Sequence, residues 1–133
     1  MSKLVARVKN IRNYQNLNIV EFDFSNTILK MMSLDLNKNI IVGKKVELLI
    51  KPTNIIISKG EIGEISLSNR LHATIKTLNN GELLSSILLK IDDYALESII
   101  TKDSSLAMNL KENDIITALI KASDISISKV LND

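Results

Sequence analysis

Hydrophobic and polar positions alternate in short runs along this chain, and the runs come twice in the same order. In the second half, Leu71 to Leu78 alternates apolar with polar residues and Leu83 to Ile91 is largely apolar. A period of two marks half-buried strands. Asn79-Asn80-Gly81 between the two runs predicts a hairpin, because Asn and Gly tolerate the backbone that tight turns require. Asp92-Asp93 predicts a second turn, before a strand over Ala95 to Thr101. Ser104 to Leu110 changes to helical spacing, with Leu106 and Leu110 four apart and Asp103 or Ser104 placed to cap the helix. Lys111-Glu-Asn-Asp114 reads as a turn, and strands Ile115 to Ala122 and Ile125 to Ser128 close the unit.

The first half follows the same plan, with Val42-Gly43-Lys44-Lys45 at the corresponding turn. Lys51-Pro-Thr-Asn-Ile-Ile-Ile-Ser-Lys59 recurs as Lys121-Ala-Ser-Asp-Ile-Ser-Ile-Ser-Lys129, seventy positions later. Val46-Glu-Leu-Leu-Ile50 matches Ile116-Thr-Ala-Leu-Ile120 in that register. Near the start of each copy, Leu4 to Ile11 matches Leu71 to Leu78 at an offset of sixty-seven. The second copy therefore carries three extra residues in its middle. The chain divides into a first module over 1–59, a linker over 60–65 and a second module over 66–133. Short strands, tight hairpins and one short helix per copy predict an all-β fold of two small OB-like barrels in tandem.

Composition narrows what such barrels can do. With 3% aromatic residues and no Trp, the core must be aliphatic. Only Tyr14, Phe22, Phe24 and Tyr94 could serve as base-stacking platforms, which argues against single-stranded nucleic acid as a partner. A net charge of +2 is no concentrated basic footprint. There is no Cys, so disulfides and thiolate metal sites are excluded. No apolar run approaches membrane-spanning length and the first residues, Met1 to Arg7, lack a signal-peptide core. A soluble, cytoplasmic protein is expected, with no membrane partner. One His, no P-loop and no Gly-x-Ser-x-Gly leave nothing that points to an enzyme.

The second copy resembles the molybdate-binding Mop modules of the TOBE domain class over about sixty residues. That family opens on Ser-Ala-Arg-Asn-x-Leu-x-Gly, continues with Ile-Thr-x-x-Ser-x-x-x-Leu-x-Leu-x-x-Gly and closes on a strand carrying Lys-Ala. Here the corresponding segments are Ser66-Leu-Ser-Asn-Arg-Leu-His-Ala73, Ile100-Thr-Lys-Asp-Ser-Ser-Leu-Ala-Met-Asn-Leu-Lys-Glu-Asn-Asp114 and Ile120-Lys-Ala-Ser123. The resemblance implies a molybdate or tungstate ligand, held at subunit interfaces of a homo-oligomer, a trimer in the first instance and a dimer in the second. Carried over by position, the oxyanion-binding candidates are Ser66, Asn69, Thr101, Ser104, Lys121, and the backbone around Ala122 and Ser123. Such a site suits a tetrahedral dianion, since hydroxyls, N–H groups and an ammonium donate hydrogen bonds to it.

Departures from the pattern set further expectations. Ser68 stands where the family places Arg, and Arg70, two residues on, is a substitute on the same strand face. In the first copy Met1 is the register partner of Ser68, and Met31 and Leu34 replace Thr101 and Ser104. Pro52 replaces Ala122 and removes a donor. That copy is thus degenerate, or lends Lys51 and Thr53 to a shared site. Ordinary explanations stand beside these. Lys121 can be a solvated strand residue, Thr101 and Ser104 a strand end and helix cap. His72 reads as surface, Met31-Met32 as core or interface, and Asp92-Asp93 as a turn. The function implied is storage, buffering or homeostasis of the oxyanion. The alternative is a sensing or interaction module acting through a transporter or regulator.

Overall fold

The computed structural model describes residues 2–132. Its strands are β1 (Ser2–Tyr14), β2 (Leu17–Phe24), β3 (Thr27–Leu34), β4 (Lys45–Ile50), β5 (Ile56–Ser58), β6 (Asn69–Asn80), β7 (Leu84–Ile91), β8 (Tyr94–Thr101), β9 (Ile115–Ile120) and β10 (Ile125–Leu131). The alternating pattern does what a period of two should. In β4, Val46, Leu48 and Ile50 point into the core while Lys45, Glu47 and Leu49 face outward in part. The aliphatic core runs through both copies as one cluster, with Phe22 and Phe24 its largest buried side chains.

The strands form two five-stranded antiparallel sheets, ordered β10-β4-β1-β2-β3 and β5-β9-β6-β7-β8. The edge strands β3 and β10 approach each other, as do β5 and β8, so each sheet curls into a small barrel. All-β and two-barrelled, the fold matches the sequence expectation. One part of that expectation is corrected. Ile125–Leu131 does not close its own unit but pairs with β4 of the first copy, Ile127 opposite Leu48. Reciprocally, β5 leaves the first copy to pair with β9, Ile57 opposite Ala118. Each barrel is thus completed by the other copy's last strand.

The duplication is visible in the irregularities too. A β-bulge falls between Val8 and Asn10 in β1 and between Ile75 and Thr77 in β6, positions that correspond. At each bulge the residue before the extra one bonds the turn that leads into the neighbouring strand, β4 or β9. Val8 donates to the Lys44 carbonyl at 2.8 Å, and Ile75 donates to that of Asp114 at 2.9 Å. Bulges bend a strand and increase its twist, which lets one sheet curl back on itself.

The expected short helix appears in the second copy as α1 (Lys102–Ala107), but the first copy holds only turns between β3 and β4. The three extra residues of the second copy lie there, between β8 and β9, so Leu34, and not Met31 as expected, is the register partner of Thr101. Without them the first copy has too little chain for the helical turn. The helix cap also lies two residues before the earlier of the expected positions. Thr101 Oγ1, and not Asp103 or Ser104, accepts from the Ser104 N–H at 3.2 Å. In both copies a 3₁₀ turn, Pro52–Asn54 or Ala122–Asp124, carries the chain across to the opposite barrel.

Candidate functional site

The Lys-Ala-Ser and Ser-x-Ser segments meet. Lys121, Ala122 and Ser123 open the 3₁₀ turn after β9, and Ser66, Leu67 and Ser68 end the linker before β6. Together with Met32 of β3 and Ile56 of β5 they line a depression of about 350 Å³. Lys121, Ser66, Ser68 and Ser123 are exposed, and no carboxylate lines this wall. Lys121 enters no ion pair among the described residues. A positive charge beside hydroxyl-bearing residues, with no carboxylate in the lining, attracts an anion and offers it hydrogen-bond donors.

Thr101 and Ser104 are elsewhere. They line a second depression with Thr53, Leu84, Ile99, Ile100 and Met108, and Ile56 forms part of both walls. Thr101 Oγ1 and Ser104 Oγ are 3.0 Å apart, so the pair already serves as strand end and helix cap. This depression has polar corners and no cation. Within one chain, then, the structure brings Lys121, Ala122, Ser123 and Ser66 together, groups Thr53 with Thr101 and Ser104, and keeps the two sets on either side of Ile56.

Asn69 and Arg70 have other duties. Asn69 is fully buried, and both ends of its amide bond the backbone of Lys30. Arg70 turns back over the linker, where Nε donates to the Leu67 carbonyl at 2.9 Å and Nη2 to that of Ile65 at 3.2 Å. Ser68 precedes β6, so the strand argument that placed Arg70 on the face of the family Arg does not reach it.

Lys51 sits in a separate depression with Asn54, Ser123, Asp124 and Ser126. The first-copy counterpart of the Thr101 depression is lined by Met31, Ser33, Asp35 and Asn37, with Ser126 from β10. Each of these hollows contains a carboxylate, Asp124 of the second copy or Asp35 of the first, which repels a dianion. Met1, the register partner of Ser68, lies outside the described residues. His72 is exposed on β6, Met31 is buried, Met32 is exposed, and Asp92-Asp93 forms the β7–β8 turn with Asp92 at φ 50°.

Sequence reasoning passed over Ser68, Met32 and Ile56 as lining residues. Ser68 was within the motif and separated from Ser66 by one residue, which is a usable signal. Met32 and Ile56 belong to the first copy, and only the strand exchange brings them to the Lys121 wall.

The TOBE domain profile matches residues 65–127. Over 94% of this chain and 93% of its own, the structure of the cytoplasmic molybdate-binding protein ModG superposes with a TM-score of 0.88 at 20% identity. A molybdate-binding protein from Sporomusa ovata is 33% identical over 50% of this chain and 98% of its own, with a TM-score of 0.48. No curated protein matches. No helix of the described residues is long and apolar enough to cross a membrane.

Proposed function

The chain belongs to the Mop/TOBE family, and from that premise we propose that it is a non-enzymatic, cytoplasmic binder of molybdate or tungstate, serving storage, buffering or homeostasis. The observation that carries the reading is the Lys121 depression, which is lined by Lys121, Ser66, Ser68 and Ser123 and by no carboxylate. Donor-only surroundings favour an oxyanion that is fully deprotonated at neutral pH over one that keeps a proton and needs an acceptor. Similarity to proteins described as molybdate-binding agrees with that chemistry.

The Thr101–Ser104 half lies across Ile56 from the Lys121 half. Copies of the chain packed side by side would bring the first half of one against the second half of its neighbour. A closed homo-oligomer, a trimer by preference, supplies that arrangement. The first copy contributes walls, through Met32 and Ile56, and Asp35 and Asp124 keep its own hollows from holding the dianion.

Thermal melting tests the reading. Ligand at 100 times its dissociation constant stabilises the folded state by about 2.7 kcal/mol. Molybdate and tungstate should each raise the melting temperature of the protein, and sulfate much less. No shift with either metal oxyanion contradicts the proposal.

A further inference from the structure

Arg70 is the one arginine close to the candidate depression, yet its guanidinium is turned onto the main chain of the linker. The carbonyls it binds, Ile65 and Leu67, belong to the peptide units whose N–H groups are those of Ser66 and Ser68. In a trans peptide the C=O and N–H of one unit point in opposite directions. Holding both carbonyls on the guanidinium therefore turns both N–H groups to the other side of the loop. Neither N–H has a partner among the described residues. Ser66, Leu67 and Ser68 are the loop residues that line the Lys121 depression.

We infer that Arg70 is a positioning residue for the anion site: it fixes the 65–68 loop so that the Ser66 and Ser68 N–H groups are presented to the oxyanion, and does not touch the anion itself. The inference rests on the oxyanion-binding reading above. The loop needs such a tie. No main-chain hydrogen bond anchors residues 60–68 to the barrels among the described residues, and Gly60 and Gly63 both have positive φ. A guanidinium suits the task because its planar fork reaches two carbonyls at once. Charged donors also polarise the peptides they bind, which strengthens the opposite N–H groups as donors.

Arg70→Lys separates this role from a direct charge contact. Lysine keeps the charge and loses the fork. Molybdate affinity is measured by calorimetry for wild type, Arg70→Ala and Arg70→Lys, with the backbone order of residues 65–68 read by NMR relaxation in the ligand-free proteins. Arg70 is exposed, and a melting curve for each variant verifies that the barrels persist. Both variants should bind roughly tenfold more weakly and show lower backbone order across residues 65–68, with wild-type melting temperatures. Wild-type affinity in Arg70→Ala, or full rescue by Arg70→Lys, overturns the positioning role and leaves the functional reading intact. No molybdate binding by the wild-type protein overturns both.

Discussion

Asn69 on β6 grips the backbone of Lys30 on β3 in the other barrel, with Oδ1 2.7 Å from the Lys30 N–H and Nδ2 2.8 Å from its carbonyl oxygen. The side-chain amide takes the place of a neighbouring strand at an otherwise open edge. A related contact recurs at the duplicated position, where Ser2 Oγ accepts from the Glu97 N–H at 2.9 Å. Ser2 corresponds to Asn69 and Glu97 to Lys30 at the sixty-seven-residue offset. The two barrels are thus clasped twice, once by a two-point amide and once by a single hydroxyl.

Asn69→Ala should therefore destabilise the protein more than Ser2→Ala. Two buried hydrogen bonds at about 1 kcal/mol each, plus the groups left unpaired, give a loss of about 2–3 kcal/mol for Asn69 and about 1 kcal/mol for Ser2. Urea unfolding midpoints of the two variants check the order. Equal, negligible losses would show that the clasp does not hold the barrels.

The strand exchange makes a second prediction. A chain limited to residues 60–133 lacks β5 to complete the β9 edge and keeps a β10 whose partner β4 is missing. It should be unfolded at low concentration, or should form dimers in which each β10 takes the β5 place on the other copy's β9. Light scattering across a concentration series distinguishes the outcomes. A stable folded monomer of that fragment contradicts the exchange.

How legible all this was in the sequence depends on the range of the interactions involved. The strands, the Asp92-Asp93 turn and the duplication are local, and their period and spacing carried them. The exchange of β5 and β10 was not legible, because Ile56-Ile57-Ser58 and Ile125 to Leu131 alternate identically whichever barrel they join. At the site, the proximity of Lys121, Ala122, Ser123 and Ser66 followed from motif position. The duties of Asn69 and Arg70 did not, since both depend on groups that only the fold brings within reach: the Lys30 backbone and the linker carbonyls.

Acid should weaken the protein in a way that Glu47 and Asp114 in part control. The Ser128 hydroxyl, 2.7 Å from Glu47, holds that carboxyl below its usual range, with help from Lys129 and Lys3. The Lys111 N–H, 2.9 Å from Asp114, does the same there, assisted by Lys59 at 3.4 Å. A carboxyl whose folded pKa is depressed adds stability above its unfolded value, and that contribution is lost as pH falls through the folded value. Unfolding midpoints should thus drop from the ordinary carboxyl range near pH 4 downward. Glu47→Gln should be weaker than wild type at pH 7, and the gap should narrow as pH falls below the ordinary carboxyl range. Because Ser128 and Lys129 lie on β10, a gap that does not narrow as the pH is lowered would mean that the carboxylate is not what ties this exchanged strand to β4.

Calorimetric titration of molybdate into the wild-type protein, Lys121→Ala and Lys51→Ala tests the central claim most directly. The predicted result is saturable binding by wild type, retained in Lys51→Ala and at least about tenfold weaker in Lys121→Ala, where the one cation of the depression is gone. No saturable heat from wild type, or undiminished binding by Lys121→Ala, would contradict the account.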